Sequence, residues 1–469
     1  MTLQEYQNKF QQFRQVLYQN LNKRADTALE LLDALCGFPA AESAVELSLS
    51  PEFRRTYTAL YKAVDAVNWE DISVAKLTAD AVPRPKQYPF WLFVVDVTPQ
   101  PRPFARTLAD RGFVYYPNPV GGNKPVTSGH QYSTVVLRTE KEARMTKSWV
   151  VPMSVRRVAT DEDKELVGAR QIRALLEEPA LPWHGELTVE VGDTSYSKPA
   201  YLHANREYDN LVTVARVRSN RTFYRQFVYP DGQQPSHRPK CYGEAFKLPD
   251  PTTWHPPDET TQLCYTSRRG KKYTVVIQGW HNLLMRGKNK PERIPMAQYP
   301  FTLLRVILYR EDGRPAFERP LWLIAVGKRR GELALADIYA AYAARVDIEH
   351  FFRFGKQKLL LTAFQTPETE REERWWIIVH LAYAMLWMAR HLAQHLPRPW
   401  ERYSDAAQRR EISPTLVQRD FARLIRQIGT PAQPPKPRGK SPGRSPGTKL
   451  PPRLRPKVVF KGEKAAANA

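Results

Sequence analysis

Leu3, Tyr6, Phe10, Phe13, Leu17 and Leu21 recur at spacings of three and four, with basic and amide residues between them. That is the period of an amphipathic helix, and it predicts a helical region over residues 1–84. Such a unit either binds DNA or caps a core, and both readings are open. At 89–97 the pattern changes. "PFWLFVVDV" is a continuous apolar run behind "RPKQY", which fits a strand buried on both faces and ending at Asp96. "HQYSTVVLRT" and "SWVVPMSVRRV" read as further strands. Thr160 and Asp163 form a capping signal before "KELVGARQIRALLEE", a predicted helix. "ELTVEVGD" returns to strand alternation and stops at Gly192 and Asp193. "SKPAYLHANREY" fits a short helix and "NLVTVARVRSN" another strand.

From 222 to 320 short strands are broken by "PDGQQPSHRP", "PDPTTWHPPDE" and "RGKNKPERIP". No helical period runs through them, so this stretch reads as an all-β insertion. A helical pattern resumes at about 333 and holds to 395. Its longest apolar run, "WWIIVHLAYAMLWMA" at 375–389, falls short of the roughly 18 to 20 residues a membrane span needs and contains His380. It predicts a buried core helix and no membrane partner. "SPTLVQRDFARLIRQIG" has Ser413 at the N-cap, Pro414 at the first helical position and Gly429 past the end, a complete short helix. The organisation expected is therefore 1–84 helical, 85–221 first part of an α/β core, 222–320 all-β insertion, 321–395 second part of the core, 396–430 a C-terminal helical region and 431–469 a tail. That tail holds ten Lys or Arg, one Glu and nine Pro, a composition that predicts disorder.

Charge sharpens the picture. The chain has 71 Lys and Arg against 48 Asp and Glu, a net +23 over 469 residues, which points to a polyanionic partner, most simply nucleic acid. Cys36, Cys241 and Cys264 are too few and too scattered for a disulfide framework or a zinc site, so a reducing compartment is expected. The N-terminus "MTLQEYQNKFQQF" carries no signal-peptide core, and the cytoplasm, on the nucleoid, is the expected location.

The chemistry concentrates in "YAARVDIEHFFRFGK". At about 100° per residue, Tyr342, Arg345, Glu349 and Lys356 fall within roughly 60° of one another on a helical wheel. Ile348, Phe351 and Phe354 lie elsewhere, so the four form one polar stripe on a mostly buried helix. The plain alternative is a solvated face with an Arg345–Glu349 ion pair. Two more acids stand where a sheet would bring carboxylates together: Asp96 at the end of the first buried strand, and Asp193 at the end of a later one. Carboxylates converging at strand ends make an oxygen-ligand site for Mg²⁺ or Mn²⁺. Two such ions can activate an attacking oxygen and stabilise a leaving one in phosphodiester chemistry. Asp193, following glycine, is equally a common turn residue.

Tyr342, two residues, Arg345, three residues, Glu349, six residues and Lys356 resemble, without a gap, the Tyr-Arg-Glu-Lys signature of the insertion-sequence-four-like group of bacterial DDE transposases. The resemblance covers about 85–460: "VVDVTP" resembles the first-Asp strand, "VEVGDTSY" the second, and "GTPAQPPKPRGKSPGR" the basic tails of some relatives. It departs in lacking a second Asp directly after Asp96, and "GDTSYSK" is only loosely like the usual second-Asp motif. The resemblance implies a ribonuclease-H-like core, a two-ion Mg²⁺ or Mn²⁺ site held by Asp96, Asp193 and Glu349, and cut-and-paste transposition by a homodimer on double-stranded DNA. Inverted-repeat ends and target DNA would be the partners. Tyr342, Arg345 and Lys356 would hold DNA backbone near the scissile phosphate.

Arg216, Arg218 and Arg221 in "ARVRSNR" either track DNA phosphates or lie on a solvated strand face. Trp254 and Trp280 are packing residues or, as in some relatives, hold a flipped base. His391 and His395 have a metal-compatible spacing with no third ligand in view, which favours a helix surface. The rival functions are a metal nuclease without strand transfer and a catalytically inactive or domesticated DNA-binding protein. A tyrosine recombinase using Tyr342 is disfavoured, because the Tyr lies within a predicted helix otherwise committed to packing and acid-base residues.

Overall fold

Alternating and continuous apolar runs become strands, and 3.6-period runs become helices, in a mixed α/β architecture. The computed structural model describes residues 2–21, 23–65, 67, 73–117, 125–146, 149–229, 240–267, 270–287, 294–395, 411–437, 443, 445–449 and 451–460. The "PDGQQPSHRP" stretch and most of "RGKNKPERIP" and "RGKSPGR" lie outside them.

The central sheet has ten strands. Its first part comprises β1 (Trp91–Pro101), β2 (Gly112–Tyr115), β3 (Val126–Leu137) and β4 (Val151–Val158). β3 pairs antiparallel with β1, β2 and β4. Helix α5 (Lys164–Glu177) then leads to β5 (Thr188–Gly192), and α6 (Pro199–Ala204) to β6 (Leu211–Arg216). β5 lies parallel to both β1 and β6, as helical crossovers require. Trp91 to Val95 are buried without a break, the signature of a strand covered on both faces, and from Asp96 on half-buried positions mix with the buried Thr98 and Gln100.

Residues 222–320 contain β7 (Thr222–Gln226), β8 (Tyr242–Lys247), β9 (Glu259–Thr266), β10 (Lys272–Leu283) and β11 (Phe301–Arg310), with β12 (Leu321–Val326) following. β7 and β8 form a two-stranded ribbon of their own, joined to the end of β10 by the Tyr224–Leu284 bridge. β9, β10 and β11 continue the central sheet through β12 to β6, so most of this stretch extends the core and does not form a unit beside it. The reason is pairing: β12 offers β6 one edge and β11 the other.

Helix α9 (Thr369–Ala389) is buried nearly all round. α1 (Leu3–Asn20), α2 (Ala25–Gly37), α3 (Tyr57–Val64), α4 (Ser73–Thr78) and α10 (Pro414–Ile428) pack on it, and it packs on β4. The N-terminal helices thus cover the core, with Phe10, Phe13 and Leu17 facing in, while Leu3 is exposed. No described helix is long and apolar enough to cross a membrane. The tail is not free of the body either. Ala432 is buried, Arg54 Nη2 donates to its carbonyl at 2.9 Å and Arg55 Nη2 donates to the Gln433 carbonyl at 2.8 Å. Further on, Val459 N donates to Arg111 O at 2.8 Å and Phe460 packs on Phe113. A few backbone and apolar contacts suffice to tie down a segment with no core of its own.

Candidate active site

The parallel pairing of β1 with β5 sets the site. Trp91 lies beside Thr188 and Val94 beside Val191, and Asp96 and Asp193 keep the same sequence offset two residues further on. Neighbouring strands are about 4.8 Å apart, so the two acids stand side by side where the β1–β5 pairing stops: Asp193 just past the end of β5, and Asp96 in mid-strand, since β1 does not end there as expected but runs on to Pro101 against β3. Asp96 accepts a hydrogen bond from its neighbour's backbone, Val97 N to Oδ1, at 2.8 Å. Burial pushes its carboxyl up to about 6 from the usual 3.8, while the Val97 amide and Arg345 pull it down and Asp193 and Glu349 add to the rise. Three carboxylates therefore share one field.

Asp193 has a local task as well. Its Oδ1 accepts from Ser195 N at 2.7 Å and Ser195 Oγ at 2.6 Å, capping the turn Thr194–Ser197 in the manner of an Asx turn. Packed against Gly192 is Tyr196, 1% exposed. A Cβ on Gly192 would stand 2.5 Å from the Tyr196 ring, which is why a strand of β-branched residues ends in glycine. Burial, then Asp96 and Asp193, push the Tyr196 hydroxyl well above its ordinary value.

Glu349 comes from a different layer. The single helix expected over Tyr342–Lys356 is two: α7 (Leu335–Ala343), packed on β5, β6 and β10, and α8 (Val346–Lys358), packed on β1. The break needs neither Gly nor Pro. Arg345 N bonds Tyr342 O at 3.0 Å and Asp347 N bonds Ala344 O at 3.0 Å, three-residue closures that tighten the path. All four residues of the stripe still face the site. Arg345, in the joint, sends Nη2 to Glu349 Oε1 at 2.7 Å and Nη1 to within 3.6 Å of Asp96 Oδ2. Lys356 lies two turns beyond Glu349, and its Nζ donates to Thr98 Oγ1 at 2.8 Å. Burial lowers the Lys356 ammonium against the pull of Asp96. The Tyr342 hydroxyl is raised by burial, and both Arg345 and Arg216 oppose that rise, so it lies in the field of two guanidiniums.

The remaining residues singled out from sequence divide. Arg216 and Arg218 are exposed at the end of β6, and Arg221 reaches back to Ser197 O at 3.4 Å, beside the Asp193 turn. Trp254 and Trp280 are packed among Phe246 and Trp322, with their indole N–H groups on backbone carbonyls. His391 stacks on Tyr6 at 3.9 Å and pairs with Glu142 at 2.8 Å, not with the three acids. Thr98, Ser195 and Tyr196 went unread in the sequence; the glycine preceding Asp193 was the one available signal.

Among the described residues no three His, Cys, Asp or Glu side chains stand together as a metal-holding group. Arg345 lies between two of the three acids, and a guanidinium is wider than a bare ion. A separate cleft of about 1090 Å³ is lined by Phe90, Leu92, Tyr339, Val346, Asp347 and Arg390 among others. None of the three acids borders it.

Residues 16–279 match the family model described as DDE superfamily endonuclease. The match spans Asp96 and Asp193 and ends before Glu349. Comparison with curated proteins gives no match.

Proposed function

Because the chain belongs to the DDE superfamily endonucleases, we propose that it is a metal-dependent DNA transposase of the insertion-sequence-four-like group, cutting and rejoining the inverted-repeat ends of its element as a homodimer. The observation that carries this reading is that Asp193 and Glu349, from two other elements, both act on the Asp96 carboxyl where the β1–β5 pairing stops, with Arg345 joining Asp96 to Glu349. The order β4, β3, β1, β5, β6, antiparallel then parallel, supports a ribonuclease-H-like core, and the run β7 to β11 is read as its β insertion.

Asp96, Asp193 and Glu349 would hold one or two Mg²⁺ or Mn²⁺ ions. Two of these carboxylates already converge on a cation, the Arg345 guanidinium, and all are hard oxygen donors, so the donor set fits. When bound, such ions polarise the phosphodiester and lower the pKa of an attacking water. The chain's own part is positioning. Lys356, placed by Thr98, presents a point charge to the scissile phosphate, and Arg345 a planar fork. Tyr342 orients Arg345 and contacts the backbone. Arg216, Arg218 and Arg221 would track phosphates leading away from the strand ends. The basic tail would add phosphate neutralisation.

The test is incubation of purified protein and its Glu349→Gln variant with a duplex carrying the element's ends, in Mg²⁺. Cleavage by the wild type, joining of the freed 3′ ends to a second duplex, and loss of both in the variant are expected. Cleavage without joining would leave a nuclease. Binding without cleavage would leave a DNA-binding protein.

A further inference from the structure

Arg345 belongs to neither helix. It occupies the joint between α7 and α8 with helical backbone angles, φ −54° and ψ −33°, and its guanidinium spans two acids contributed by different layers: Glu349 at 2.7 Å and Asp96 at 3.6 Å. The Arg345 and Asp96 side chains are 20% and 21% exposed and Glu349 is 48% exposed, so the guanidinium is shielded on the Asp96 side and open to solvent on the Glu349 side. The Lys356 ammonium, the other cation near Asp96, donates to the Thr98 hydroxyl. Among the described residues, Arg345 is thus the cation that pairs with Asp96 and Glu349 together.

We infer that Arg345 is a stand-in cation: before DNA arrives its guanidinium fills the place between Asp96 and Glu349, and the divalent ion and the DNA phosphate together displace it. This rests on the proposed metal site and adds a rule for loading it. Carboxylates pushed together without a counter-charge repel and lose solvation, and a resident cation removes that cost while the site is empty. The same cation must leave, or turn aside, for a metal ion to use both carboxylates. A phosphate offers the fork an equivalent bidentate partner. Metal and DNA would then help each other to bind, since each completes the exchange that the other begins, and their coupling is reciprocal. Ion binding by the free protein would stay weak, which limits cleavage to the DNA-bound state.

The experiment is titration of the full chain with Mn²⁺ alone, followed by calorimetry or by the electron spin resonance of free Mn²⁺, with and without a duplex carrying the ends. Wild-type protein should bind Mn²⁺ on the order of tenfold more tightly once DNA is present. Arg345→Gln should bind Mn²⁺ more tightly than wild type without DNA, by a similar factor, and gain little from DNA. Arg345→Lys, which keeps a charge but not the fork, should fall between them and serves if the glutamine variant does not fold. Asp96→Asn and Glu349→Gln should each abolish the binding. If those two bind Mn²⁺ like wild type, the metal site itself is wrong. If they lose it while Arg345→Gln binds no better than wild type, the site stands and the stand-in role is overturned.

Discussion

Lys356 Nζ donates to Thr98 Oγ1 at 2.8 Å, tying α8 to the strand position two residues beyond Asp96. The bond fixes the ammonium on the Asp96 side of the helix, where burial already lowers its proton affinity. Lys356→Ala should cut the cleavage rate by about 10²-fold or more, the scale of losing one aimed charge at a phosphoryl centre, with end binding held to within several-fold. Thr98→Val removes only the tether and should cost less than Lys356→Ala. Single-turnover cleavage and gel-shift affinity separate the two effects; equal losses in both assays for Lys356→Ala would mean that it serves general DNA binding.

Asp96→Asn should do two opposite things. Cleavage should be abolished with Glu349→Gln as its match, because an anionic ligand is removed at almost constant volume. Stability should rise. The folded carboxyl is raised from 3.8 to about 6, chiefly by burial, so the folded state binds the proton more tightly than the unfolded chain does. That favourable contribution is complete below the unfolded value and is lost as pH climbs through about 6. A neutral Asn escapes the loss, for a gain of at most roughly 3 kcal/mol above pH 7 at about 1.36 kcal/mol per pH unit. Denaturant melts at pH 5 and pH 8 check it: the Asn variant's advantage should be the larger at pH 8.

Much of this site was legible in the sequence because the ends of apolar runs and helical spacing are local signals, although β1 itself runs on past Asp96 to Pro101. "WLFVVDV" and "TVEVGD" each bring an apolar run to an acid, and the parallel register turns two local endings into one neighbourhood. The four-residue stripe survived even though its helix is broken, because the backbone at Arg345 stays helical and the angular order of side chains is kept. What the sequence hid was long-range. Nothing near β9 to β11 announces that their edge partner is β12 and, through it, β6; strand pairing is set by partners far along the chain. The buried Ala432 was hidden for the same reason, since Arg54 and Arg55 hold its segment from the other end of the sequence.

Gly192→Ala tests the floor of the site. The added Cβ would meet the Tyr196 ring at 2.5 Å, and that ring is 1% exposed and packed edge-on against Tyr201 at 4.9 Å, so it has little room to retreat. Overpacking of this kind costs about 1–3 kcal/mol. Asp193, the next residue, should be displaced too, so the variant should lose cleavage beyond what its lowered melting midpoint explains. Gly192→Ala/Tyr196→Phe should not rescue it, because the clash is with the ring and not with the hydroxyl; rescue by that change would refute the packing account.

Removal of the tail separates its anchor from its charge. Deleting 438–469 keeps the Arg54 and Arg55 hydrogen bonds to Ala432 and Gln433, whereas deleting 431–469 removes them and uncovers the Ala432 site. The longer deletion should lower stability by about 1–3 kcal/mol, the effect of stranding buried hydrogen-bonding groups. The shorter one gives up only the outer attachment, Val459 on Arg111 and Phe460 on Phe113. DNA binding should follow a different order. Most of the ten tail cations lie beyond 437, so both deletions should flatten the dependence of log K on log salt, by about 0.9 for every phosphate that the tail no longer neutralises. Affinity for an end-carrying duplex at several salt concentrations, read beside the melting curves, decides it: slopes equal to the full chain's in both deletions would assign the tail to holding the fold together and remove it from the DNA.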